Sequence, residues 1–211
     1  MIELAPYLPG FFAAYAIILI GASSPGPSVA MLIGIATSQG RNPALVATMG
    51  IAFGGMTINI MTMLGVGVIL SQAAWAMTVL RVIGSGYLLY LAYGAFKKAA
   101  HPPKLTLTPH NRRSALRCFV TGYILQVSNP KAIIFWLAIA SLGATEGAGW
   151  TVVLAFIAGA FLISFFCHGM WAVLLSSAPI RAAYTAGRRW IEAALGVFFC
   201  FAAYKIATSE N

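Results

Sequence analysis

The segment GASSPGPSVAMLIG, residues 21–34, decides the fold because it places two prolines and a glycine inside an apolar stretch. Residues 4–40 contain no Asp, Glu, Lys or Arg. This stretch is longer than the roughly 20 residues that a membrane-spanning helix needs. Since proline interrupts helical hydrogen bonding, the segment predicts a membrane span that is broken near its middle.

The composition of the whole chain indicates the same class of protein. Of its 211 residues, 60% are hydrophobic and 8% are charged, whereas soluble domains have roughly 25% charged residues. Mean hydropathy is +0.87. The sequence therefore predicts an all-α integral membrane protein with almost no soluble domain.

Apolar stretches predict six spans, at about residues 11–35, 44–70, 76–96, 118–142, 150–176 and 190–207. The N-terminus has no basic region before its apolar run, so we expect a retained first span rather than a cleaved signal peptide. Basic residues are concentrated in the first, third and fifth loops, which are predicted to be cytoplasmic by the positive-inside rule. Both termini are then predicted to lie outside.

The net charge of +9 is explained by this topology signal and by contact with anionic lipid headgroups. Nucleic-acid binding is not expected, because the longest basic loop, residues 97–117, is a short proline-containing linker. The three cysteines are far apart, the chain has no Asp, and its His and Glu residues are not clustered. We therefore expect no disulfide, metal, cofactor or catalytic site.

The two halves of the chain show a weak internal repeat. When the second half of the chain is aligned with the first so that residue 129 matches residue 24, Asn129-Pro130 aligns with Ser24-Pro25 and the fifth span aligns with the second. Each half has three spans, so the halves are predicted to be inverted repeats, as in many secondary transporters. The expected organisation is one transmembrane domain, with repeat one at about 4–98, a cytoplasmic linker at about 97–117 and repeat two at about 118–207.

The dipeptides Ser24-Pro25 and Asn129-Pro130 are each typical of a helix start, with an N-cap residue followed by proline at the first helical position. A helix that starts inside a bilayer presents unpaired N–H groups and a partial positive charge, which suit a carboxylate. Two such starts predict half-helices that bind an anionic group. Two proline kinks without a ligand are the alternative.

Lys131 lies near the middle of the fourth span. A cation at that depth costs about 2.5–3.5 kcal/mol on insertion scales, and such residues are usually functional. The sequence leaves three roles open for its ammonium group. These roles are pairing with a bound carboxylate, hydrogen bonding to carbonyls freed by the break, and gain or loss of a proton.

Other polar residues are predicted to face a cavity or to pack between helices. Gly55, Asn59 and Thr62 share one face of the second span, and Ser164 and His168 share one face of the fifth. His168 either carries a proton or is structural, and Glu192 lies close to the inner end of the last span. The small-residue pairs Gly50/Gly54 and Ala155/Gly159 allow close helix packing, within the chain or in a homodimer.

The order of four motifs resembles the LysE/RhtB family of amino-acid exporters. These motifs are SPGPS, QGRNPALVATMGIAFG, GSGYLLYLAYGAFKK and SNPKAIIFW, and the resemblance runs from about residue 19 to the C-terminus. It implies a prokaryotic inner-membrane protein that exports amino acids or close derivatives from the cytoplasm by proton antiport. A channel-like or uncoupled facilitator for small polar metabolites is the alternative.

Carried over by position, the resemblance places the family's two sequence motifs on six residues: Pro25, Gly26, Pro27, Asn129, Pro130 and Lys131. The chain departs from the family pattern at Ser28, where members often have Asp or Asn, and at Glu192, where many members have Asp. We expect the substrate carboxylate near Ser28 and Asn129, with Lys131 neutralising it. Oxygen atoms of Ser24, Asn59 and Gln126 are candidates to accept from its ammonium group, and the candidate proton carriers are His168, Glu192 and Lys131.

Overall fold

The structure, a computed structural model, describes residues 4–24, 26–72, 74–102, 114–140 and 142–208. These residues are helical throughout, as the sequence predicts, apart from short turns. A single 3-10 turn, Ala5–Tyr7, precedes eight α-helices: α1 Leu8–Ser23, α2 Pro27–Gln39, α3 Arg41–Gln72, α4 Ala74–Ala100, α5 Ala115–Val127, α6 Pro130–Ala140, α7 Trp150–Leu174 and α8 Ala178–Ala207.

By length and composition, three stretches in the described part of the chain are suited to cross a membrane, Ala5–Ser23, Arg41–Gly65 and Trp150–Leu174. A fourth span forms if α5 and α6, which meet at a bend of 59°, are counted together. The predicted break in the fourth span is therefore present. The other two predicted spans fall on α4 and α8, and the six-span arrangement stays a prediction.

The first predicted span, residues 11–35, is broken as the sequence predicts, into two separate helices, α1 and α2. The predicted start of the second of these helices is wrong. Ser24 is the C-cap of α1 rather than an N-cap, because its backbone is extended and its N–H still donates to the Ile20 carbonyl. Gly26 is instead the N-cap of α2, and Pro27 is its first residue. Pro25 lies outside the described residues.

The last helix also begins earlier than predicted, at Ala178 rather than at residue 190. Its first turns carry Arg181, Arg188 and Arg189, which the hydropathy pattern assigned to a loop. A helix continues through such residues because arginine has a high helix propensity. The span prediction located the apolar part of α8 and missed its polar beginning.

The described residues form two compact units. One comprises those of Met1–Val66 and Thr108–Ser176, and the other those of Gly67–Leu107 and Ser177–Asn211. In the first unit α7 packs against α1 and α2, α6 packs against α1, and α5 packs against α2. In the second unit α4 packs against α8. Both units contain residues from both sequence halves, and the inverted repeat stays a prediction.

Glycines let α3 and α5 approach closely in the first unit. A methyl group at Gly50 would overlap the carbonyl oxygen of Phe119, and one at Gly122 would overlap that of Ala47. At Gly54 it would lie 2.9 Å from the Tyr123 carbonyl oxygen. The small-residue pair on α3 therefore brings two backbones into contact within the chain, as expected for such motifs.

Candidate functional site

A cavity with about 540 Å³ of empty space lies among α1, α2, α5, α6 and α7 of the first unit. The apolar lining includes Ile18, Val29, Phe135 and Ile139, and the polar lining is Ser24, Ser28, Gln126, Asn129, Lys131, Trp136, Ser164 and His168. Both helix breaks therefore border the same cavity.

The first break follows from proline chemistry. In a continuous helix the Gly21 carbonyl would accept from the N–H of residue 25, but residue 25 is proline and has no N–H. Two side chains take over: Ser24 Oγ donates to this carbonyl at 2.9 Å, and Lys131 Nζ donates to it at 3.2 Å. The end of α1 is thus satisfied by polar side chains inside the apolar segment.

Lys131 connects the two breaks. Its ammonium group donates to the Gly21 carbonyl, to the Ser24 carbonyl at 3.2 Å and to Ser24 Oγ. It also lies 5.9 Å from the centre of the Phe135 ring, within the range of a cation–π contact. Of the three roles that the sequence leaves open, these contacts correspond to hydrogen bonding with freed carbonyls. A cation is favourable there because carbonyl groups at a helix C-terminus carry partial negative charge.

The second break matches the predicted helix start. Helix α5 ends at Val127, and α6 begins at Pro130. Asn129 Oδ1 accepts from the Lys131 backbone N–H at 3.1 Å, and the Asn129 carbonyl accepts from the Ile133 N–H at 3.1 Å. Asn129 is therefore the N-cap of α6, and the N-terminal end of this helix lies at the cavity.

Polar side chains of α2, α5 and α7 complete the wall. Ser28 Oγ donates to Gln126 Oε1 at 3.0 Å, and both side chains are buried. His168 Nδ1 lies 2.9 Å from the Ser164 carbonyl oxygen. Because that oxygen only accepts, Nδ1 carries the proton, and Nε2 is the ring nitrogen left to meet a ligand or a proton.

Of the residues that the sequence proposes for substrate binding, the structure brings six into the cavity wall: Ser24, Gly26, Ser28, Gln126, Asn129 and Lys131. His168, proposed for proton coupling, lines it as well. Pro27 and Pro130 begin the helices behind this wall. Asn59 is buried on α3 outside the lining, and Glu192 belongs to the second compact unit.

Two polar lining residues, Trp136 and Ser164, were not proposed to bind substrate, although Ser164 was expected on a polar face of the fifth span together with His168. The sequence contained a partial signal for both. Ser164 lies four residues before His168 and so shares its helix face, and Trp136 lies four residues after Ala132, another lining residue. An apolar span gives no further indication of which of its faces borders a cavity.

The permanent charge of the cavity lining is positive. Lys131 is the only residue with a permanent charge among those that line it, and no carboxylate lines it within the described part of the chain. Across the same residues, no group of three or more His, Cys, Asp or Glu side chains is placed to hold a metal ion. The site therefore favours a ligand with a negative group and gives no carboxylate partner to a second positive group.

Comparison with known proteins now gives the family. The family described as LysE type translocator matches residues 19–210. The chain belongs to this family. The LysE relatives include the threonine efflux protein of Salmonella typhimurium, 29% identical over 196 residues that cover 90% of this chain and 93% of the relative. The threonine efflux protein of Escherichia coli K12 is 28% identical over 188 residues, covering 86% of this chain and 89% of the relative.

The predicted resemblance to LysE proteins is thereby confirmed. An uncharacterized membrane protein of Haemophilus influenzae is also similar, at 26% identity over 190 residues that cover 87% of this chain and 89% of the relative. No solved structure matches the chain. Membership in a LysE translocator family agrees with a membrane transport protein rather than an enzyme.

Proposed function

We propose that this LysE translocator is a secondary transporter that exports amino acids or close derivatives from the cytoplasm. The observation that carries the proposal is the meeting of two helix starts and one lysine at a single cavity, through Gly26, Asn129 and Lys131. Relatives named threonine efflux proteins support a small amino acid such as threonine as the substrate.

The substrate carboxylate would bind between the N-terminal ends of α2 and α6. Helix N-termini bind anions through their free N–H groups and their partial positive charge. The charge of Lys131 adds to this attraction. Because its ammonium group is hydrogen-bonded to Gly21 and Ser24, an arriving carboxylate competes with these oxygens for it, so substrate binding acts directly on the end of α1.

The substrate ammonium group would be held by neutral oxygens. Ser24 and Gln126 both line the cavity and carry side-chain acceptors. The sequence also proposes Asn59 as an acceptor, but this residue lies on α3 outside the cavity lining, so it is not assigned to this first binding position. Neutral acceptors suit a zwitterion, whose net charge is zero.

The proposed arrangement in the inner membrane has six spans in two inverted repeats, with both termini on the outer side of the membrane. The distribution of basic loop residues supports this orientation. Rocking of the repeats would open the cavity to either side in turn. The homodimer that the small-residue pairs allow stays a prediction, because Gly50 and Gly54 pack against α5 within the chain.

Inward movement of protons is the proposed driving force. His168 is the preferred carrier because it lines the substrate cavity and its Nδ1 is already held by Ser164. Glu192 and Lys131 are the other candidates. A proton on His168 would lie in the same cavity wall as the charge of Lys131, so protonation and release of a positive substrate group are expected to be linked.

The direct test is counterflow in proteoliposomes. Vesicles are loaded with unlabelled threonine, labelled amino acids are supplied outside, and the assay is repeated with an imposed pH gradient. We expect saturable exchange of a few small amino acids that the gradient accelerates. Flux that neither saturates nor depends on internal substrate would contradict a carrier and favour a channel-like facilitator.

A further inference from the structure

Asn59 has an unusual position among the polar residues of α3. Its side chain is 1% exposed, and neither its Nδ2 nor its Oδ1 has a hydrogen-bond partner among the described residues. Burial of an unpaired amide is unfavourable, and buried polar groups in proteins are normally hydrogen-bonded. An amide of this kind inside a transport protein therefore calls for a functional explanation.

Three residues of the cavity wall lie against the same face of α3, one turn before Asn59. A methyl group built at Gly55 would lie 3.8 Å from each of three polar atoms, Gln126 Nε2, Trp136 Nε1 and Ser164 Oγ. All three residues line the cavity. Residues four apart share a helix face and are about 6 Å apart along the axis, so Asn59 lies one step beyond the cavity wall.

The neighbours of Asn59 on α3 do not provide an equivalent group. Thr62 shares the face, but its hydroxyl donates to the Asn59 backbone carbonyl at 2.9 Å. Ile58 packs into the apolar core that includes Trp136 and Phe156. Asn59 thus follows a core residue along α3, and both atoms of its buried amide are available.

We propose that Asn59 is a second substrate contact, reached after the amino acid leaves the cavity at Lys131, and that the translocation path follows the Gly55–Asn59 face of α3. This inference rests on the proposed export function. The amide both donates and accepts, so it can bind the carboxylate through Nδ2 and the ammonium group through Oδ1. In the predicted topology Arg41 is at the cytoplasmic end of α3, which places Asn59 on the exit side of Gly55.

The test measures threonine binding and threonine export separately. Asn59→Leu, Asn59→Ser and the control Thr62→Val are purified, and each is assayed for equilibrium binding of labelled threonine in detergent and for threonine efflux from loaded proteoliposomes. We expect Asn59→Leu to bind threonine within about twofold of wild type and to export it at least tenfold more slowly. Asn59→Ser should be intermediate, and Thr62→Val should match wild type in both assays.

Thermal unfolding checks the fold of each variant. Asn59→Leu removes a buried unpaired amide, so its melting temperature should equal or exceed that of wild type. Efflux by Asn59→Leu within twofold of wild type would overturn the inference. Equal loss of binding and efflux in a well-folded Asn59→Leu would also overturn it, by placing Asn59 in the first site.

Binding and export assays of the wild-type protein show whether a negative result contradicts this inference alone or the proposed export function as well. Wild-type protein that neither binds nor exports any amino acid of the counterflow panel would contradict the export function, and the inference with it. Wild-type export together with normal export by Asn59→Leu would contradict only the second contact.

Discussion

The Lys131 ammonium group lies 3.2 Å from the Gly21 backbone carbonyl, so a cation at the start of α6 satisfies the end of α1. The contact links residues from the two halves of the chain and exists because residue 25 is proline. The same ammonium group lines the cavity. A ligand that attracts Lys131 therefore also changes the hydrogen bonding of a helix end.

The contact between α3 and α5 gives a stability prediction. Gly50→Ala would place a methyl group on the Phe119 carbonyl oxygen, so the two helices must separate. Overpacking of this kind typically costs about 1–3 kcal/mol of unfolding free energy, and we expect a lower melting temperature in detergent. Gly34→Ala on α2 is the matched control, because nothing lies within 4 Å of a methyl group there. It should be neutral or stabilise by up to about 1 kcal/mol, and equal melting temperatures for the two variants would refute the packing argument.

The charge of the cavity gives a specificity prediction. Lysine and arginine bring a second positive group into a cavity whose lining has Lys131 and no carboxylate in the described part of the chain. They should therefore compete with labelled threonine at least tenfold less well than serine or unlabelled threonine does. Competition in the counterflow assay measures this directly. Lysine that competes as well as threonine would mean that a negative group outside this lining takes part in binding.

Proton coupling is predicted to depend on His168. The His168→Gln substitution keeps a donor for the Ser164 carbonyl but removes the titratable ring. We expect saturable counterflow to persist while its acceleration by a pH gradient is lost. Glu192→Gln, which alters the carboxylate 3.7 Å from Arg188 Nε, is the comparison and should retain the acceleration. The reverse pattern would transfer the proton-carrying role to Glu192.

Local chemistry made much of the site predictable. Asn129 followed by proline in an apolar stretch indicated a helix start, and the structure confirms it through the Asn129–Lys131 cap hydrogen bond. The depth of Lys131 indicated an unusual environment, which its carbonyl partners confirm. These features depend on neighbouring residues, which a sequence displays directly.

Features that depend on distant residues were not predictable. Pro25 and Pro27 are each suited to begin a helix, so the sequence did not show which of them does. Lys131, 107 positions away, donates to the Ser24 oxygens at the end of α1. The Ser28–Gln126 hydrogen bond joins residues 98 positions apart. Trp136 lies at the cavity next to Gln126 and Ser164, which belong to two other helices, and all three side chains lie near Gly55. The spacing of residues along the sequence does not show which side chains of different helices come into contact.

The most direct test of the account is whether the substrate carboxylate is what the cavity binds. Wild-type protein in detergent is titrated with labelled threonine, and unlabelled threonine and threoninamide, which lacks the carboxylate, are compared as competitors. Hydrogen bonds to charged groups contribute about 1.5–3 kcal/mol, so threoninamide should compete roughly 10- to 100-fold more weakly. In Lys131→Met, threonine binding should weaken and this difference should shrink. Equal competition by threonine and threoninamide in the wild-type protein would contradict carboxylate binding at Lys131 and the two helix starts.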